Sequence, residues 1–170
     1  MWYYQNGNII FQSEIVSGLP SDPDRKTPPG IFTLNSKSSP SVLRGEMTAN
    51  GTYSYEQPVT YWMPFNGGIG FHDADWQPYF GGDRYLTGGS HGCINLPYSA
   101  AKKIYETIDK GYCVLVYNLP GTESDTVKQK EATAVVNTIN SIGTVTLESE
   151  PVIVAARAAY DASVSYTHLT

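Results

Sequence analysis

Residues 71–73 read Phe71-His72-Asp73 and residues 90–95 read Ser90-His91-Gly92-Cys93-Ile94-Asn95, with a Gly-rich, aromatic insert between them. A thiol becomes a nucleophile when an imidazole can take its proton, when it is partly exposed, and when backbone amides stand ready to stabilise an oxyanion. This stretch supplies each ingredient. His91 lies two residues before Cys93, so an extended chain projects both side chains from one face. Gly92 between them lets the backbone turn, and the amides of residues 91 to 93 can converge on a carbonyl oxygen.

Working outward, short apolar or β-branched runs alternate with turn signals: Met1 to Tyr4, Asn8 to Gln12, Ile15 to Val16, Ile31 to Leu34, Thr60 to Met63 and Tyr112 to Tyr117. These runs predict strands, the first two joined by a tight hairpin through Asn6-Gly7. Asp22 to Gly30, with three prolines, predicts a loop. One helix follows the cysteine motif. Ala100, Ala101, Ile104, Tyr105 and Ile108 recur at helical spacing, with Asn95 as N-cap, Pro97 near the first turn and Gly111 as C-terminal cap. The next run, Tyr112 to Tyr117, is nearly all apolar and predicts a strand buried on both faces, Cys113 included.

Composition changes near Pro120. Gly, Pro and Tyr concentrate before it, whereas Ala, Thr, Val, Ser and Glu dominate after it. The expected organisation is a mainly β, loop-rich domain over 1–119 and a helical tail, or the start of a following surface module, over 120–170. In the tail, Ser124 to Ile142 aligns Val127, Ala134, Val135, Thr138, Ile139 and Ile142, and Ser149 to Ala162 aligns Ile153, Ala156 and Tyr160. The last residues, 163–170, carry no periodicity.

The 170 residues carry 11 Lys and Arg against 16 Asp and Glu, a net charge of −5 without a basic run. That balance disfavours nucleic acid, whose phosphates need clustered cations. No apolar run is long enough to span a membrane and no signal peptide opens the sequence, so an export signal is expected outside it. The glycine pairs do not make a phosphate loop, since no Lys-Ser/Thr follows them. Two competing site chemistries are weaker. His72, His91 and Cys93 lack an evident fourth partner for zinc, and Asp73 with Asp75 is a poor glycosidase pair at alternate loop spacing. No metal or cofactor is expected. A disulfide between Cys93 and Cys113 would silence the nucleophile and is not the favoured reading.

The same residues resemble the L,D-transpeptidase catalytic domain, or YkuD-type domain. Its pattern is a His, an intervening stretch, then Ser/Thr-His-Gly-Cys-apolar-Asn/Arg, met here by His72, seventeen residues, and Ser90 to Asn95. Thr27-Pro28-Pro29-Gly30-Ile31-Phe32, Gly68-Ile69-Gly70-Phe71-His72 and Phe80-Gly81-Gly82 extend the likeness, which runs from about Trp2 to Asn118. The resemblance implies a sandwich-like fold in which Cys93 attacks a peptide-stem carbonyl of peptidoglycan, between an L-centre and a D-residue. His72 would be general base and the backbone carbonyl of Asp73 the third member, so that the side-chain type at 73 matters little. His91, Gly92 and the Cys93 amide would line the oxyanion hole.

It also implies a secreted, cell-wall enzyme without cofactor, inhibited by β-lactams of the carbapenem class. The thioester passes to an amine on a neighbouring stem, or to water in a carboxypeptidase. A catalytically weak wall-binding module is the alternative from another class. Candidate substrate-binding residues are Ser90 and Asn95, which would hold the loop, and Trp76, Tyr85 and Arg84. Trp76, Tyr79 and Tyr85 are expected to form a flap over the cleft, with Arg84 pairing either with a stem carboxylate or with Asp83 or Asp75.

Overall fold

The computed structural model describes residues 1–118, 125–141 and 149–164, which fall into two compact units, the first spanning Met1–Tyr117 and the second beginning at Asn118. In the first unit, β1 (Trp2–Gln5) and β2 (Asn8–Gln12) form an antiparallel hairpin turned by Asn6 and Gly7, both at positive φ. The strand β3 (Gly30–Thr33) pairs antiparallel with β9 (Cys113–Val116), and β4 (Ser41–Arg44) with β5 (Glu56–Val59). The central sheet has three strands, in the order β6 (Trp62–Asn66), β7 (Ile69–Asp73), β8 (Ile94–Leu96). A five-residue helix, α1 (Arg84–Gly88), lies in the insert, and α2 (Tyr98–Thr107) follows β8.

The central sheet sorts its side chains by the two-residue period of a strand. Met63, Phe65, Phe71, Ile94 and Leu96 point to the core, where Ala100, Ala101 and Ile104 of α2 meet them. Phe65 sits 5.6 Å from the Phe32 ring and 5.0 Å from the Phe71 ring, tying β3–β9 to the central sheet in a sandwich-like arrangement. The opposite face carries Trp62 and His72, which the register sets side by side, and Asn95, which the parallel β7–β8 pairing sets opposite His72. The core thus holds one face of three strands rigid. The other face is left for chemistry.

Several expectations change. Asn95 is not the N-cap of α2, which is Pro97; it is a buried residue of β8 whose backbone exchanges two hydrogen bonds with Val16. Val16 therefore forms an isolated bridge and not a strand. α2 ends at Thr107, capped by Ile108; Gly111 takes its positive φ in the turn entering β9, where its N–H bonds to Leu34. β9 is covered on one face only, because it lies in a two-stranded sheet: Val114 and Val116 face inward, while Cys113 and Leu115 are exposed. Both cysteines are free thiols.

The second unit contains α3 (Asp125–Asn140) and α4 (Glu150–Val164), packed on one another. Ala156 is buried and Val135 and Thr138 are half-buried, but Ile139, Ile153 and Tyr160 are exposed, so the expected stripes are only partly covered. Ile142 lies outside the described residues, as do residues 165–170; nothing is described of the Val127 side chain. No helix among the described residues is long and apolar enough to cross a membrane.

Candidate active site

His72 is 2% exposed, set between two indoles: Trp76 is stacked at 5.7 Å and Trp62 tilted at 5.9 Å. Its Nδ1 lies 2.8 Å from the Asp73 carbonyl oxygen. A carbonyl only accepts, so this contact assigns the proton to Nδ1 and leaves Nε2 with a lone pair. Burial pushes the His72 pKa below the ordinary imidazole value, opposed by the Asp73 carbonyl and charge. The ring is therefore neutral and basic at Nε2. The Asp73 carboxylate has a separate task, accepting N–H bonds from Thr60 at 3.0 Å and Tyr61 at 2.7 Å. The backbone carbonyl of residue 73 serves the imidazole whatever its side chain, while the carboxylate serves the structure.

Cys93 stands one residue before β8, and one further step of the parallel ladder sets it beside Gly70, two positions from His72 on the same strand face. Its Sγ donates to the Gly68 carbonyl at 3.5 Å. Burial raises the thiol pKa, while the Gly70 backbone beside it pulls the other way. Both groups are driven towards neutrality, a thiol and an imidazole, and proton transfer belongs to the moment of attack.

The loop carrying the thiol is buckled from within and from outside. Ser90 Oγ donates to the Cys93 carbonyl at 2.5 Å and accepts the Gly92 N–H at 3.0 Å. Thr27 Oγ1 donates to the Gly92 carbonyl at 2.7 Å and accepts the Gly18 N–H at 2.8 Å. Gly92 has φ +113°, a backbone that L side chains rarely adopt, and an added Cβ would lie 3.0 Å from Ile69. Residues 91 and 92 form a bend, so His91 and Cys93 do not share the face of an extended strand. His91 is exposed and its ring stacks on Tyr55 at 5.8 Å. Of the three amides expected to line an oxyanion hole, that of Gly92 is held by Ser90.

A cavity of about 260 Å³ opens at Cys93. One wall is the hairpin β4–β5, contributing Val42, Arg44 and Tyr55; Trp62, Pro64 and the Gly67-Gly68 turn form the other. The expected flap stands elsewhere. Trp76 covers His72, Tyr79 is exposed beneath the Arg84 guanidinium, and Arg84 Nε donates to Gln77 at 2.9 Å. Tyr85 is half-buried in α1. Tyr55 was missed by the sequence reading, although its phenol is close enough to Cys93 for the sulfur's charge to raise its pKa, after the larger effect of burial. The signal was the alternation Tyr53-Ser54-Tyr55 beside the Gly51 turn. Among the described residues, no cluster of three His, Cys, Asp or Glu is placed to hold a metal.

A family model described as the L,D-transpeptidase catalytic domain, YkuD, matches residues 1–116. The crystal structure of a cysteine-to-serine mutant of Enterococcus faecium L,D-transpeptidase is 45% identical, covering 68% of this chain and 44% of that one, with a TM-score of 0.60. The NMR structure of the E. faecium catalytic domain acylated by ertapenem is 46% identical over 68% of this chain and 87% of that one, at a TM-score of 0.57. An L,D-transpeptidase from Stackebrandtia nassauensis is 31% identical over 71% and 52%, at 0.52. This chain spans less than half the length of the cysteine-to-serine mutant structure, which it covers to 44%. No curated protein matches it. By the family match and these likenesses, the chain belongs to the YkuD family of L,D-transpeptidase catalytic domains.

Proposed function

We propose that the first unit is a peptidoglycan L,D-transpeptidase acting outside the cell, with Cys93 as nucleophile and His72 as general base. The observation that carries the reading is an imidazole whose Nδ1 is held by the Asp73 carbonyl, on the same sheet face as a thiol that opens into a cavity. In the cycle, His72 Nε2 takes the thiol proton as Sγ attacks the carbonyl of the L-centre in a tetrapeptide stem. The tetrahedral oxyanion is met by the Cys93 amide, with His91 at the rim, and an oxyanion donor contributes about 3 kcal/mol. Collapse breaks the C–N bond, and the imidazolium returns its proton to the departing D-residue amine.

The resulting thioester divides one difficult amide exchange into two easier ones. An acceptor amine from a second stem then attacks, His72 takes its proton, and the thiolate leaves and is reprotonated. No redox or metal step enters. With water in place of the amine the same machinery yields a carboxypeptidase, and no residue named above favours one acceptor over the other.

Incubation with a tetrapeptide stem followed by intact-mass spectrometry tests the reading. The wild-type chain is expected to release the terminal D-residue and to gain the mass of a carbapenem on Cys93, as the ertapenem-acylated relative does on its own chain. Cys93→Ala is expected to lose both while keeping its fold. Turnover by that variant, or a wild-type chain whose mass a carbapenem leaves unchanged, overturns the assignment, and the second result favours a wall-binding module without turnover.

A further inference from the structure

Among the described residues lining the cavity at Cys93, the one cation is Arg44 at the end of β4. Its neighbours fix the plane of the guanidinium without using up its fork. Nε donates to Glu56 Oε1 at 2.9 Å, across the β4–β5 register that pairs these two residues, and the group lies 5.3 Å from the centre of the Tyr53 ring. An arginine has five N–H donors, so the Nε bond leaves the two terminal nitrogens for a planar anion, and a carboxylate accepts them two at a time. The Glu56 carboxylate does not belong to that lining. Arg44 is thus a held, half-exposed cation in a lining whose other members are uncharged apolar, aromatic and glycine residues and the thiol of Cys93.

We propose that Arg44 is a specificity-determining residue that binds the terminal carboxylate of the D-residue to be released, so that the site selects stems ending one residue beyond the attacked carbonyl. This inference rests on the function proposed above. When Sγ attacks a carbonyl, the next group toward the C-terminus is that single residue and its carboxylate. A cavity of about 260 Å³, below the roughly 300–1,000 Å³ of pockets that enclose drug-sized ligands, suits the end of a peptide. A longer stem would place an amide, with no charge, where the guanidinium waits. Arg84, the cation nearer to the motif in sequence, is engaged with Gln77 and Tyr79 and does not line this cavity.

The test separates binding from turnover. Calorimetry on Cys93→Ala uses L-alanyl-γ-D-glutamyl-L-lysyl-D-alanine as free acid, as C-terminal amide, and with the mid-stem carboxylate amidated. The terminal amide is expected to bind roughly ten- to hundredfold more weakly than the acid, the loss of a charge-assisted pair. Adding Arg44→Gln is expected to abolish that difference, and amidation at mid-stem to matter little. In the otherwise wild-type chain, Arg44→Gln raises KM for the acid with little change in kcat. Glu56→Gln, which frees the cation from its internal anion, lowers KM for the acid alone and keeps the test open should Arg44→Gln fail to fold. Equal binding of acid and amide, a preference that follows the mid-stem carboxylate, or no binding at all overturns the role of Arg44. A wild-type chain that binds the acid selectively but never releases D-alanine overturns the proposed function instead.

Discussion

His72 and Cys93 are each shifted towards neutrality by burial, and that pair of directions decides how the site answers to pH. A preformed thiolate–imidazolium pair would need the opposite shifts. Acylation that uses His72 as base requires the ring neutral, so its acid limb is expected below the ordinary imidazole value of about 6.5. Alkylation of Cys93 by a neutral reagent, measured in a Cys113→Ser background because Cys113 is exposed, is expected to rise only above the ordinary thiol range. Coincident profiles for the two reactions would mean that an ion pair exists before substrate binds. Trp76 supplies part of the burial. Trp76→Ala should therefore raise the His72 pKa towards its ordinary value and carry the acid limb upward with it. The same shifts bear on stability. As pH falls through about 6.5 the unfolded chain takes a proton that folded His72 resists, so stability declines in acid. At the alkaline end the unfolded thiol ionises first, and stability declines as pH rises past about 8.5.

The element that presents His72 is latched at its end by Asp73, whose carboxylate collects the amides of Thr60 and Tyr61 where the chain passes from β5 to β6. Asp73→Ala removes both acceptors from a residue only 5% exposed and strands two donors. A loss of roughly 2–4 kcal/mol is expected, read as a lowered midpoint in thermal or denaturant unfolding; a variant within the error of wild type would mean that water replaces the carboxylate at no cost. The latch also explains what was legible in the sequence. His72, Gly92 and Cys93 stood out because their residue types announce chemistry, and β1–β2 because Asn6-Gly7 announces a turn. β4, β5, β7 and β8 did not, for different reasons. β8 is three residues long, too short for a period, and owes its place to the parallel partner β7. β4–β5 carries few inward apolar side chains and is made by pairing with itself, so the wall containing Arg44 and Tyr55 left almost no apolar pattern. In the aromatic insert, Trp76 shields an imidazole, Tyr79 lies beneath the Arg84 guanidinium and Tyr85 belongs to α1, so the three rings do not line the cavity together.

At the scale of the whole molecule, the described residues of the principal buried cluster, from Leu34 to Ile108, lie within the first unit, as do the thiol, the imidazole and the described residues lining the cavity. The family match ends at residue 116, where β9 completes its pairing with β3. Among the described residues of the second unit, α3 and α4 pack on one another, with Ala156 a buried apolar side chain. A chain ending at Asn118 therefore keeps each hydrogen bond described around Cys93 and His72 and each member of that core. It is expected to unfold cooperatively, within about 1 kcal/mol of the first unit in the full chain, and to be acylated by a carbapenem at an unchanged rate. Loss of cooperative unfolding on truncation would mean that the helices cover part of the catalytic core. A slower acylation with the fold intact would assign them a part in presenting substrate to the cavity.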